Sequence, residues 1–303
     1  MSDDALWAII RSVPGWERGD LDVEPLEGGI TNRNYVVARD GERFVLRVPG
    51  RDTELLGIDR ANEARAATLA AEAGVGPEVV AVLPDSGCFV ARFVEGAHVP
   101  MADLRHDGVL GSVVQSLRAF HACAPIPSSF NVFRIVEGYG ETAEARGIAL
   151  PDAYEVAHTL AARVEAGLAV NPAPLTTCHN DLLNANFLRE GEHTWIVDYE
   201  YAGMGDPFFD LGNLAVNNDL DDEADELLLR HAAGEVRDRH RARLALMRLM
   251  SDFREAMWGV VQQAISTLDE DFEAYAARHF GRLLANAAAA PLDDLLTAAG
   301  EPA

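Results

Sequence analysis

The chain contains no lysine; all 25 of its basic side chains are arginine. Cysteine is almost as scarce, and Cys88, Cys123 and Cys178 lie far apart with no C-x-x-C pair among them. Such a set excludes a disulfide framework and a cysteine zinc site. Long apolar runs are missing too, since no stretch approaches the roughly 18 uninterrupted apolar residues of a membrane-spanning helix. Positive charge is outnumbered by 49 acidic residues, giving a formal net charge of −24. Nucleic acid and anionic lipid both reward basic residues, so neither is expected as a partner. At the N-terminus, MSDDALWAIIRS carries acid where a secretory leader carries positive charge, and Arg11 interrupts its apolar run. The expectation is a cytoplasmic protein. Its acidity suits a small cationic ligand, although it would serve solubility equally well.

The composition, 49% hydrophobic and 24% charged, is that of an ordinary folded chain, and 303 residues favour two lobes over one. The first 95 residues read as β-rich. After a short helix over Ser2–Ser12 capped by Ser2, strands are expected at Asp20–Leu26, Asn34–Ala38, Arg43–Val48, Glu78–Leu83 and Cys88–Val94. Asp40-Gly41 marks a hairpin turn, and one alanine-rich helix, Asp59–Ala73, is inserted before Gly74. Beyond Glu95-Gly96 the pattern turns helical: Gly108–Cys123, Asp152–Leu168, Asp221–Ala233, Val236–Leu268 and Asp271–Ala288. Only a hairpin, Ala185–Arg189 with His193–Asp198, interrupts it. The fold class expected is α+β and bilobal, with a nucleotide-binding lobe over 1–95 and a catalytic and substrate-binding lobe over 96–303.

The residues with chemical potential cluster around that hairpin. CHNDLLNANFL contains H-x-D-x4-N, with Asp181 five positions before Asn186. A carboxylate that only accepts hydrogen bonds can orient and deprotonate a hydroxyl, and oxygen ligands can hold magnesium on nucleotide phosphates. A capped polar loop would use the same residue types. The following strand ends in Val197-Asp198-Tyr199-Glu200, placing Asp198 twelve positions after Asn186 on the other arm of the hairpin. That is where a second metal-binding carboxylate sits in a kinase-like site. In the first lobe, the paired Gly28 and Gly29 allow backbone N–H groups close to phosphate, and Thr31 and Asn32 add side-chain donors. Arg47 interrupts the apolar strand FVLRV where a kinase-like site expects lysine, and Glu63 on the next helix is its natural partner.

Taken together, GGITNRNY, FVLRV, RFVEG, HNDLLNANFL and IVDYEYAGMGDPFFDLGN resemble the aminoglycoside phosphotransferase and choline kinase superfamily from about Leu26 to Phe280. The resemblance implies a protein-kinase-like fold, ATP with Mg2+ as donor and a small-molecule hydroxyl as acceptor. It assigns Asp181 as catalytic base, Asn186 and Asp198 as magnesium ligands, Arg47 with Glu63 as phosphate clamp, and Phe93, Val94 and Glu95 as the hinge beside adenine. Arginine at the clamp is characteristic of the choline and ethanolamine kinase branch. Within that branch, DYEYAG and FREAMWGVVQQAIS imply that Glu200, Tyr201, Trp258 and Tyr275 bind a cationic substrate, choline first. These enzymes often carry a second tryptophan where this chain has Glu255. Asp210 is expected to support the catalytic loop. Ethanolamine, an aminoglycoside, thiamine or a sugar are alternative acceptors, and a non-catalytic nucleotide-binding protein is the alternative from another class. No A-P-E stretch follows Asp198, which argues against a protein kinase.

Overall fold

The computed structural model describes residues 2–27, 31–50, 52–266 and 268–302. Its first part is an antiparallel five-stranded sheet in the order β1-β2-β3-β5-β4, formed by Asp22–Leu26, Asn32–Arg39, Glu42–Pro49, Val79–Leu83 (β4) and Cys88–Arg92 (β5). Asp40 and Gly41 both take positive φ, 52° and 85°, and close the β2–β3 hairpin with Arg39 opposite Glu42. Primed turns demand that conformation, which is why the Asp-Gly pair predicts them. Strand periodicity then sorts β3. Phe44, Leu46 and Val48 pack with Ile10, Val13 and Trp16 beneath α1 (Asp3–Ser12). Arg47, one residue out of step, is thereby turned to the opposite face, toward α2 (Arg60–Glu72).

Residues 93–96 lead from β5 into the second part, and we place the division between lobes there. The short strand β6 (Ala97–His98) pairs with β8 (Phe187–Glu190), which pairs with β9 (His193–Ile196). A second small ladder joins β7 (Thr176–Cys178) to β10 (Gly203–Gly205). The remainder is helical: α3 (Asp107–His121), α4 (Val132–Ala145), α5 (Ala153–Leu168), α6 (Pro207–Asn217), α7 (Asp222–Ala233), α8 (Asp238–Ile265), α9 (Phe272–Ala289) and α10 (Leu292–Ala299). Helix α8 is buried along most of its length against α4, α6, α9 and α10. No helix among the described residues is long and apolar enough to cross a membrane.

Three helices, α4, α6 and α10, and the short strands β6, β7 and β10 go beyond the sequence expectation. Helix α6 does carry a start signal, Asp206 capping Phe208 N–H with Pro207 in the first turn. Its periodicity is hidden because Asp210 and Asn213 are polar yet fully buried. In α4, Gly138 and Gly140 dilute the helical signal. Gly140 is there because a Cβ would sit 3.0 Å from the Tyr154 hydroxyl of the neighbouring helix.

Candidate active site

Asp181 follows β7 in a buried loop whose shape is set by α6. The Asp210 carboxylate accepts the His179 N–H at 2.9 Å and the Asn180 N–H at 2.6 Å. Burial alone would raise this carboxyl, but the His121 imidazole, bonded to it at 2.7 Å, and the backbone N–H of His179 hold it below its ordinary range. One turn on, Asn213 accepts the Leu182 N–H at 2.6 Å, and Asn218 donates to the Leu182 carbonyl at 2.9 Å. Asn180 takes a positive φ of 67°, which asparagine tolerates, and its amide donates to the Tyr201 carbonyl at 3.0 Å. His179 accepts the Asp181 N–H on Nδ1 at 3.2 Å, so its proton is on Nε2, which donates to the Val197 carbonyl at 3.0 Å. Histidine and the flanking asparagine are therefore scaffold, and they leave the buried Asp181 carboxylate unengaged, 3.5 Å from the Arg254 guanidinium.

Asn186 ends the loop. Its amide nitrogen donates to the Asp181 carbonyl at 2.9 Å, which leaves its oxygen for another partner. The Val197 N–H bonds the Asn186 carbonyl at 3.0 Å, so Asp198, the next residue, leaves the hairpin beside Asn186. Asp198 has a positive φ of 70°. Its carboxylate, with those of Glu63 and Glu200, forms an oxygen cluster compact enough to hold a cation. Oxygen donors of this kind suit magnesium.

From the first lobe, Arg47 pairs with Glu63 through Nε and with Asp198 through Nη2, and lies 3.3 Å from Glu200. Burial opposes its charge, but Asp198, Glu63 and Glu200 together raise its pKa further, so it stays protonated. Arg60, at the start of α2, reaches Glu63 at 2.6 Å and Glu200 at 3.4 Å. Thr31 donates its hydroxyl to Glu200 at 2.6 Å, and the Asn32 amide donates to the same carboxylate at 2.7 Å. Two guanidiniums thus meet three carboxylates at the lobe interface. Gly28 and Gly29 lie outside the described residues. Phe93 and Val94 are half-buried in the link; the Arg43 guanidinium covers the Phe93 ring at 3.8 Å and pairs with Glu95 at 3.0 Å.

On the other side of Asp181 stands an aromatic group. Trp258 donates its indole N–H to the Tyr201 hydroxyl at 3.0 Å, and its ring meets Tyr275 edge-on at 5.5 Å. Tyr275 donates to Glu255 at 2.8 Å. Arg254 is fully buried, bonds Glu255 at 2.7 Å, approaches Asp181 to 3.5 Å and covers the Tyr201 ring at 4.3 Å. Burial drives the Asp181 carboxyl up, with Arg254 opposing. The structure therefore groups Tyr201, Trp258 and Tyr275, but places the Glu200 side chain with Thr31, Asn32 and Arg47 instead. Sequence reasoning missed Arg60 and Arg254. For Arg254 the signal was present: an Arg-Glu pair set inside the apolar stripe of α8 between Phe253 and Met257.

Comparison with known proteins finds relatives in both sequence and fold. A model of the phosphotransferase enzyme family matches residues 22–246. The crystal structure of a choline/ethanolamine kinase family protein from Mesorhizobium loti superimposes with a TM-score of 0.84, at 35% identity and over 99% of both chains. In sequence, the protein LicA of Haemophilus influenzae is 27% identical over 78% of this chain and 72% of its own. Ethanolamine kinase 2 of Rattus norvegicus is 26% identical over 92% of this chain and 81% of its own.

Proposed function

Since the chain belongs to the phosphotransferase enzyme family, within it to the choline and ethanolamine kinases, we propose that it transfers the terminal phosphoryl group of ATP to the hydroxyl of a small amino alcohol. The observation that carries the reading is one juxtaposition. Asp181, Asn186 and Asp198 come together where Arg47, held by Glu63, reaches from the first lobe to Asp198. In this reading Gly28, Gly29, Thr31 and Asn32 lie over the phosphates, and Phe93, Val94 and Glu95 border the adenine.

Asp181 orients the attacking hydroxyl and accepts its proton; Arg254, close by, opposes the burial that drives this carboxyl up. Asn186 and Asp198 would hold magnesium, which when bound neutralises charge on the phosphates. Arg47 supplies a permanent cation from the first lobe, able to bind phosphate bidentately as lysine cannot. Arg60 shares Glu63 and Glu200 with Arg47, so the clamp glutamate is neutralised even while Arg47 engages phosphate. Tyr201, Trp258 and Tyr275 border the acceptor, and the Glu255 carboxylate bonded to Tyr275 favours a cationic one.

The test is ADP release with ATP and magnesium across choline, ethanolamine, thiamine and an aminoglycoside. Turnover should be confined to the amino alcohols, and Asp181→Ala should abolish it while ATP binding persists. Normal turnover by Asp181→Ala would remove Asp181 as the base; turnover of thiamine or the aminoglycoside alone would replace the acceptor class.

A further inference from the structure

The group of side chains beside Asp181 is built unlike a cage for a quaternary ammonium. Such a cage offers open aromatic faces, because a trimethylammonium has no N–H to donate and is attracted mainly through π-electrons. Here the face of Tyr201 already carries a cation, the Arg254 guanidinium at 4.3 Å. Trp258 is packed edge-to-face with Tyr275 and Phe272, at centroid distances of 5.5 and 5.8 Å. Tyr201 and Trp258 each expose only 7% of their surface. What the group offers in place of bare rings is hydrogen-bonding oxygen. The Glu255 carboxylate stands between Arg254 and Tyr275, and burial, which would raise it, is overcome by Arg254 and His279, so it remains ionised. The Tyr201 hydroxyl accepts from Trp258 and retains a lone pair. On Arg254, Nε and Nη2 find no hydrogen-bond partner among the described residues; as donors they can serve a hydroxyl oxygen but not an ammonium.

We infer that, within the amino-alcohol reading on which this rests, the Arg254–Glu255 pair makes the enzyme selective for a primary amine over a quaternary one. A primary ammonium can donate to Glu255 and the tyrosine hydroxyls through charge-assisted hydrogen bonds. Each N-methyl group removes one donor and demands a ring face that Arg254 or a neighbouring ring occupies.

The experiment measures kcat/KM for ethanolamine and its mono-, di- and trimethylated forms with the unmodified protein. A stepwise fall is expected, reaching about tenfold or more at choline, the size of loss when donors to a charged partner vanish. Choline used as well as ethanolamine, or better, overturns the inference but leaves the amino-alcohol reading standing; turnover of neither removes both. The Arg254→Leu/Glu255→Gln double variant should raise the choline-to-ethanolamine ratio by about tenfold as the Tyr201 face is uncovered. Should that variant fail to fold, the methylation series on the unmodified protein still decides.

Discussion

Asp210→Asn is the most direct perturbation of how α6 shapes the catalytic loop. The native carboxylate accepts three hydrogen bonds: the His179 N–H at 2.9 Å and His121 Nε2 at 2.7 Å on one oxygen, the Asn180 N–H at 2.6 Å on the other. Asparagine keeps a single acceptor oxygen. Its NH2 must then face either the Asn180 amide or the His179 amide and His121, donor against donor. Bonds to a charged group contribute about 1.5–3 kcal/mol each, and a buried donor left without its acceptor costs about 1–3 kcal/mol. We take about 3–5 kcal/mol as the loss, within the roughly 5–15 kcal/mol of a typical protein, so the variant should still fold. At roughly 2–3 °C per kcal/mol, the melting temperature should drop by about 6–15 °C. The catalytic effect should exceed what stability alone explains. Asn180 is held at positive φ by this carboxylate, and a displacement of about 1 Å at Asp181 would lower kcat about 100-fold. The assay pairs thermal unfolding with kcat and ATP affinity below the transition. ATP affinity should stay within about threefold, because Arg47 and Thr31 share no partner with Asp210. A variant melting within about 2 °C of the parent, with kcat within about threefold, would refute the reasoning; loss of ATP affinity in parallel with kcat would show the damage to be global.

Arg47→Met removes the cation shared by Glu63, Asp198 and Glu200 and should both destabilise the lobe interface, by about 3–5 kcal/mol, and raise KM for ATP about tenfold or more. Arg47→Lys should recover stability better than ATP affinity; equal ATP kinetics in all three proteins would exclude Arg47 from phosphate binding. For pH, burial holds the His179 imidazole below its ordinary value of 6.5. The unfolded chain therefore takes up a proton near pH 6.5 that the folded chain refuses, and stability falls as pH drops below that value until the folded imidazole itself titrates. Asp210, held low, acts in the same direction, its contribution being lost as pH falls through its folded value. Melting temperature from pH 7.5 to about 5.5 should thus decline more steeply in the parent than in His179→Gln; an equal slope would show that His179 does not contribute.

The parts legible in the sequence share a physical property: their signal is local. The Asp40-Gly41 turn, the alternation that turns Arg47 away from Leu46, and the spacing that puts Asn186 and Asp198 on two arms of one hairpin all follow from short-range geometry. Glu63 is legible for the same reason, as a buried acid on the helix that follows Arg47. The supports of the site were not local. Asp210, Asn213 and Asn218 are polar residues buried by contact with a loop about 30 positions earlier, as their bonds to His179, Asn180 and Leu182 show. Only the family resemblance points to Asp210 as a support of the loop; in the sequence pattern itself these polar residues merely obscure the stripe of α6. Glu200 illustrates the same limit at a single residue. The chain places it two residues after Asp198, but Thr31 and Asn32 of the other lobe determine where its side chain lies.

Trp258 is the sharpest case. An aromatic residue on the buried stripe of a helix reads identically whether its ring packs a core or awaits a ligand, because both require the same period and the same burial. The difference lies in what covers the ring faces around it, and that depends on position 255. A tryptophan there would add an aromatic face; glutamate instead draws the neighbouring Arg254 into an ion pair at 2.7 Å and so over the ring of Tyr201. One residue therefore changes the group twice, subtracting a π surface directly and covering a second through its partner. The same exchange supplies a carboxylate that Tyr275 holds in place at 2.8 Å. In the proposed amino-alcohol reading, glutamate at 255 in place of tryptophan would replace cation–π attraction by directed hydrogen bonding.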